Sequence, residues 1–96
     1  MPITILQRID ESHNMARGYE LSVQPGLFGD VSVIRHWGRI GTLGQSKEYW
    51  FDDEASADAM ASSVLRQKEK RGYVVRTADD HPGMTIFARG PARNRL

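Results

Sequence analysis

VSVIRHWGRIGTLGQSKEYWFDDEASADAMASSVLRQKEKRG, residues 31–72, changes its period part-way, and that change decides the fold. Up to Phe51 the side-chain character repeats every two residues, as in a strand whose successive side chains point to opposite faces. Val31, Val33, Arg35, Trp37 and Arg39 fall on one face of a strand over 31–40; Ser32, Ile34, His36, Gly38 and Ile40 fall on the other. GTLG (41–44) turns the chain, and QSKEYWF (45–51) returns as a second strand. Beyond Asp52 the repeat becomes helical, with Ala57, Met60, Ala61, Val64 and Leu65 on one stripe of a helix over 54–70. Asp52 or Asp53 caps it, because a carboxylate accepts the free amide hydrogens of the first turn. Glu54 complements the positive helix end, and Lys68, Lys70 and Arg71 the negative one. Gly72 is placed to end the helix in a left-handed conformation.

Working outward, ITILQRI (3–9) and GYELSVQ (18–24) alternate as strands, separated by a polar connection, DESHNMAR (10–17). PGLFGD (25–30) is a turn, with one proline and two glycines. After the helix, YVVRT (73–77) makes a short strand, ADDHPG (78–83) a turn, MTIFARG (84–90) an extra strand and PARNRL (91–96) a basic tail. Tyr19, Leu21, Phe51 and Tyr73 are expected in the core, with Trp50 on the face opposite Phe51. The fold class is therefore α+β: a small antiparallel sheet of about four to five strands packed against one amphipathic α-helix. The domain spans 1–77, a C-terminal extension spans 78–96, and the sheet face away from the helix is left partly free.

Ninety-six residues make one small domain, which buries roughly 60% of its unfolded surface. The apolar fraction of 40% and charged fraction of 26% are those of an ordinary globular chain. No apolar run approaches the ~20 residues of a membrane span, so no membrane partner is expected. The N-terminus lacks a secretory pattern and cysteine is absent, which together point to a cytoplasmic protein. The net charge of +1 conceals an asymmetry. Residues 1–60 carry five basic side chains against nine acidic, a balance of −4, and residues 61–96 carry eight against three, a balance of +5. Such a distribution suits a polyanion-binding face or a solvated helix end with a basic tail. The pI of 8.2 is below the ~9 usual for a strong nucleic-acid binder.

Enzyme signatures are missing from the sequence. There is no GxxxxGK[ST], GxSxG, HExxH or strand-following GxGxxG. His13, His36 and His81 are far apart and lack clustered metal ligands, so neither a metal nor another cofactor is expected. Asp10, Ser12 and His13 are neighbours in a polar loop, an arrangement that seldom gives triad geometry. Asp79, Asp80 and His81 fit a solvated turn. The expectation is a protein that is not an enzyme and has no small-molecule substrate.

Binding is more promising. Arg35, Trp37 and Arg39 line one strand face at intervals of about 6–7 Å. An indole offers a flat surface for a base or sugar, and guanidinium groups take phosphates through paired hydrogen bonds. Lys47 on the return strand adds a positive charge, and Gly38 lets another element approach closely on the opposite face. The competing reading keeps Trp37 in the core under the helix, with Arg39 stacked on it or paired with Glu48. Strand physics alone leaves both open.

The segment VIRHWGRIGTLGQ, centred on Trp37-Gly38-Arg39, resembles the WGR domain family. NMARGYEL (14–21), QPGLFGD (24–30), FDDEASA (51–57) and KRGY (70–73) extend the resemblance over about residues 3–76. The chain looks like a small stand-alone bacterial WGR protein. In poly(ADP-ribose) polymerases the domain binds near DNA breaks and relays that binding to its neighbours. The resemblance implies that Trp37 stacks on a terminal nucleotide's sugar and Arg39 contacts phosphate or a partner domain. Arg35 and Lys47 add phosphate contacts, and Asn14 matches an Asn that often precedes the second strand. The implied function is a non-catalytic nucleic-acid-binding module for DNA ends or nicks; the alternative is a protein–protein module that docks a separately encoded catalytic partner. Relatives usually carry an aromatic pair where this chain has Gly18-Tyr19, so one aromatic is missing. Ninety-six residues leave no room for a transferase domain, so ADP-ribosylation does not follow.

Overall fold

The sheet is built around an eleven-residue strand that the alternation at Tyr19, Leu21 and Val23 announces. The computed structural model describes residues 3–77 and 86–88. Their strands are β1 (Ile3–Asp10), β2 (Met15–Pro25), β3 (Val31–Arg39), β4 (Gln45–Phe51) and β5 (Val74–Thr77). They form one antiparallel sheet in the order β4-β3-β2-β1-β5. The first four strands follow as consecutive hairpins. The chain then crosses one face as helix α1 (Glu54–Lys70), and β5 pairs beside β1. This is the α+β architecture expected.

The helix spans the residues its periodicity marks. Asp53 is the cap, its carboxylate accepting from the Ser56 amide at 2.7 Å. Gly72 follows the last turn at φ +95°. Ala57 and Val64 are buried against Leu6, Tyr19, Leu21, Val23, Val31 and Val33, with Met60, Ala61, Leu65 and Phe51 packed around them. Fully burying one such Leu or Val contributes about 1.5–3 kcal/mol, and this layer between helix and sheet is the larger of the two buried apolar clusters among the described residues. No helix among the described residues is long and apolar enough to cross a membrane.

The structure departs from expectation in three places. The polar stretch 10–17 is not a long connection: Glu11–His13 form one 3₁₀ turn, and β2 already begins at Met15. Hydrophobicity missed this start because Asp10↔Met15, Ile9↔Ala16 and Arg8↔Arg17 are held by the β1–β2 ladder rather than by burial. Within the expected strand 84–90, Ile86–Ala88 are not a strand, although Gly41 donates to the Ile86 carbonyl and Ala88 to the Thr42 carbonyl. Residues 78–85 and 89–96, including the expected turn and basic tail, lie outside the described residues. The sheet face away from α1 is also less free than expected, since Ile86 and Phe87 cover Ile5 and pack beside Ile40. Trp50 remains exposed on that face.

Candidate functional site

Strand alternation sorts charge between the two faces of the sheet. Arg17 on β2, Arg35 and Arg39 on β3 and Lys47 on β4 share the face that carries α1, because they have the parity of the core residues Tyr19 and Val33. Glu20 and Glu48 take the opposite face. Register then sets like charges directly across from one another: Arg17 against Arg39, and Arg35 against Lys47. Like charges in that relation destabilise a sheet. The one ion pair among the described residues is His13 with Asp10, so none of these four cations has a carboxylate partner there.

Between the two like-charged pairs lies Trp37, directly across from Tyr19. Their rings stack at 6.4 Å between centroids and 21° between planes. Trp37 is neither fully outward nor deep beneath the helix. It is half-buried, packed on the core at one side and lining a cleft at the other. The Arg35 guanidinium lies 5.6 Å from the Trp37 ring centre and 5.6 Å from that of Tyr49. Its Nε donates to the Tyr19 hydroxyl and its Nη1 to the Tyr49 hydroxyl at 3.0 Å. Arg35 is therefore a clamped charge rather than a free fork. Burial alone works against that charge, but the Tyr19 and Tyr49 hydroxyls together more than compensate, holding the guanidinium above its usual pKa. Burial pushes the Tyr19 hydroxyl up as well, against the pull of Arg35, so the pair is charged arginine with neutral tyrosine at neutral pH.

Arg39 is exposed and neither stacks on Trp37 nor pairs with Glu48. Its Nη1 donates to the Asn14 carbonyl at 3.1 Å and its Nη2 to the Asn14 side-chain oxygen at 3.4 Å. Asn14 can receive both because it sits in the left-handed conformation (φ 50°, ψ 43°) at the end of the 3₁₀ turn. That turn is tied by Asp10, which accepts from the Ser12 amide at 3.2 Å, the Ser12 hydroxyl at 2.6 Å and His13 Nδ1 at 2.8 Å. Asp10, Ser12 and His13 do meet, but not as a triad. Hydroxyl and carboxylate both approach Nδ1, whereas triad chemistry needs the hydroxyl on Nε2.

Asn14, Arg17, Trp37, Arg39, Lys68 and Tyr73 line a cleft of ≈ 350 Å³ at the C-terminal end of α1. Of the residues singled out from sequence, Trp37, Arg39, Asn14 and Gly38 come together there; Arg35 and Lys47 extend the same face toward β4. Lys47 is exposed, with its ammonium 5.2 Å from the Tyr49 ring centre. Arg17 and Lys68 were missed. The parity of Arg17 with Tyr19 would have signalled it once β2 was extended to Met15. Lys68 looked like an ordinary basic residue in a last helical turn. Its ammonium lies 4.7 Å from the Tyr19 ring centre and 5.5 Å from that of Tyr73. Burial, with the charges of Arg71, Arg35 and Arg17, holds its pKa below the usual lysine value. No group of three or more His, Cys, Asp or Glu able to hold a metal occurs among the described residues.

The model of the WGR domain family matches residues 3–80. The uncharacterized protein y4dW of Sinorhizobium fredii (strain NBRC 101917 / NGR234) is 50% identical over 68 residues, 71% of this chain and 33% of that relative. Protein YehF of Escherichia coli (strain K12) is 36% identical over 52 residues, 52% of this chain and 19% of that relative. The chain thus matches a third or less of the length of either relative. No solved structure matches.

Proposed function

This chain belongs to the WGR domain family, and from that premise we propose that it is a non-catalytic module that binds DNA ends or nicks through the Trp37–Arg39 face. The observation that carries the reading is the pair of like-charged cross-strand pairings, Arg17↔Arg39 and Arg35↔Lys47, flanking the Tyr19–Trp37 stack with no carboxylate paired to them among the described residues. A sheet built for stability alone would alternate charge across these positions. A polyanion supplies the missing negative charge. The near-neutral net charge is no obstacle, because Glu20 and Glu48 project from the other face.

Each element has a distinct task in this reading. Trp37 offers its open edge to the terminal sugar. Arg39, aimed by Asn14, and Arg17 reach phosphates beside it, while Lys47 and the clamped Arg35 continue the positive track. Three or four neutralised phosphates give a log–log salt slope of about −3 to −4 on duplex DNA. The test is a titration with nicked duplex, intact duplex and single strands at two salt concentrations. Tightest binding to the nicked duplex with that slope is expected. Failure to bind any of the three, or salt-independent binding, overturns the reading and favours docking of a protein partner on the same face.

Lys68 supplies a pH signature. An anion in the cleft favours the charged amine, so the ligand should raise the depressed Lys68 pKa and binding should take up a proton. Affinity should accordingly fall as pH rises through the window between the free-state Lys68 pKa and the higher bound-state value. Side-chain NMR titration of Lys68 with and without nicked duplex measures both; an unmoved titration places the phosphate elsewhere.

A further inference from the structure

Behind the Trp37–Arg39 face is a second constellation that the binding reading leaves unused. Gly18 and Gly38 lie directly opposite each other on β2 and β3, leaving a bare strip on the sheet face away from α1. Ile86 and Phe87 fill it and are 3% and 4% exposed. The fit leaves no room for side chains: a Cβ on Gly18 would lie 2.5 Å from Ile86 Cδ1, and one on Gly44 would lie 3.0 Å from Phe87 Cε1. His36 stacks on Phe87 at 4.1 Å and 3°, and its Nε2 donates to the Leu43 carbonyl at 2.7 Å. Two backbone bonds complete the contact. Gly41 donates to the Ile86 carbonyl at 2.9 Å, and Ala88 donates to the Thr42 carbonyl at 2.7 Å. These three residues come after the stretch that the family model matches.

We propose that Ile86–Phe87–Ala88 is an intramolecular brace, supplied by the C-terminal extension, that holds the β3–β4 turn and so positions Trp37 and Arg39 on the opposite face. The turn needs such a brace. Gly38, Gly41 and Gly44 stand within seven residues, and glycine loses more conformational freedom on ordering than any other residue. The brace acts at both ends of the turn, through hydrogen bonds at Gly41 and Thr42 and through ring contacts at His36 and Gly44. A turn that samples other conformations presents the binding face only part of the time, and affinity falls by that fraction.

The effect on ligand affinity rests on the nucleic-acid reading; the effect on the turn does not. Two full-length variants test the brace. Phe87→Ala removes the ring from one side. Gly18→Ala, at a position with negative φ, displaces the tip of Ile86 from the other. In both, amide exchange at Gly41 and Ala88 is expected to accelerate about tenfold or more while amides of the β1–β2 ladder stay protected. The Trp37 indole NMR signal should shift or broaden, and affinity for nicked duplex should fall about three- to tenfold. Unchanged exchange at Gly41 overturns the proposal, as does accelerated exchange with an unmoved indole signal. If Phe87→Ala unfolds the domain, the same readouts on Gly18→Ala decide. If the wild-type chain does not bind duplex, the nucleic-acid reading fails and exchange and indole signals alone decide the brace.

Discussion

Trp37→Ala is expected to weaken binding to a nicked duplex by about 5- to 150-fold, the equivalent of one stacking contact of ~1–3 kcal/mol. The domain should remain folded. The indole is half-buried, and the Tyr19 ring beneath it stays packed on Leu6, Leu21 and Val33 when it is removed. Losing part of its burial and the stack should lower stability by only about 1–2 kcal/mol. Arg35 keeps both hydroxyl acceptors, Tyr19 and Tyr49, so the truncation leaves no buried charge unpaired. Trp50 is the internal control: it is 56% exposed and on the other sheet face, so Trp50→Ala should leave affinity within about twofold. Affinity and thermal unfolding measured side by side separate the two roles of Trp37. Cooperative unfolding of Trp37→Ala would restore the core reading of that ring, and unchanged affinity in a folded variant would remove it from the interface.

The elements legible in the sequence were those whose signal is local. The helix over 54–70 follows from one apolar stripe and one carboxylate cap, both set by neighbours within a few positions. The facing of Arg35, Trp37 and Arg39 follows from parity alone. What stayed hidden depends on register, which alternation does not supply. The clamp on Arg35 needs Tyr19, sixteen residues away in the chain, and Tyr49, fourteen away. The Arg39–Asn14 contact spans twenty-five positions and needs a left-handed Asn14 at the end of a turn that looked like plain connection. Lys68 joined the cleft because α1 ends above Tyr19 and Tyr73, a consequence of packing rather than of the helix sequence. Hydrophobic pattern thus defines faces, and pairing register decides which charges meet on them.

Register also explains why a glycine stands between the tryptophan and the arginine, and this yields the largest stability effect expected. Gly38 has φ +151°, and a Cβ there would lie 2.9 Å from the Gly44 Cα. Gly44 has φ +69°, and its Cβ would lie 2.6 Å from the Trp37 carbonyl oxygen. In both cases the obstacle is backbone, which cannot swing aside as a side-chain tip can. Gly38→Ala should therefore combine backbone strain with overpacking and cost about 2–4 kcal/mol, a fall in Tm of roughly 10–25 °C for a domain of this size. Gly41→Ala has positive φ but nothing within 4 Å of its Cβ, so it should show the conformational penalty alone, about 1–2 kcal/mol. Because a Cβ on Gly38 meets the Gly44 backbone and one on Gly44 meets the Trp37 carbonyl next to Gly38, each forces the same two segments apart, and the double variant should cost less than the two single costs added, by about 0.5–3 kcal/mol. Denaturant or thermal unfolding of the four variants gives every term. A Gly38→Ala cost no larger than that of Gly41→Ala would show that the strands can part there without penalty. The close approach of Gly38 to Gly44 would then not be what keeps Trp37 and Arg39 in line on the opposite face.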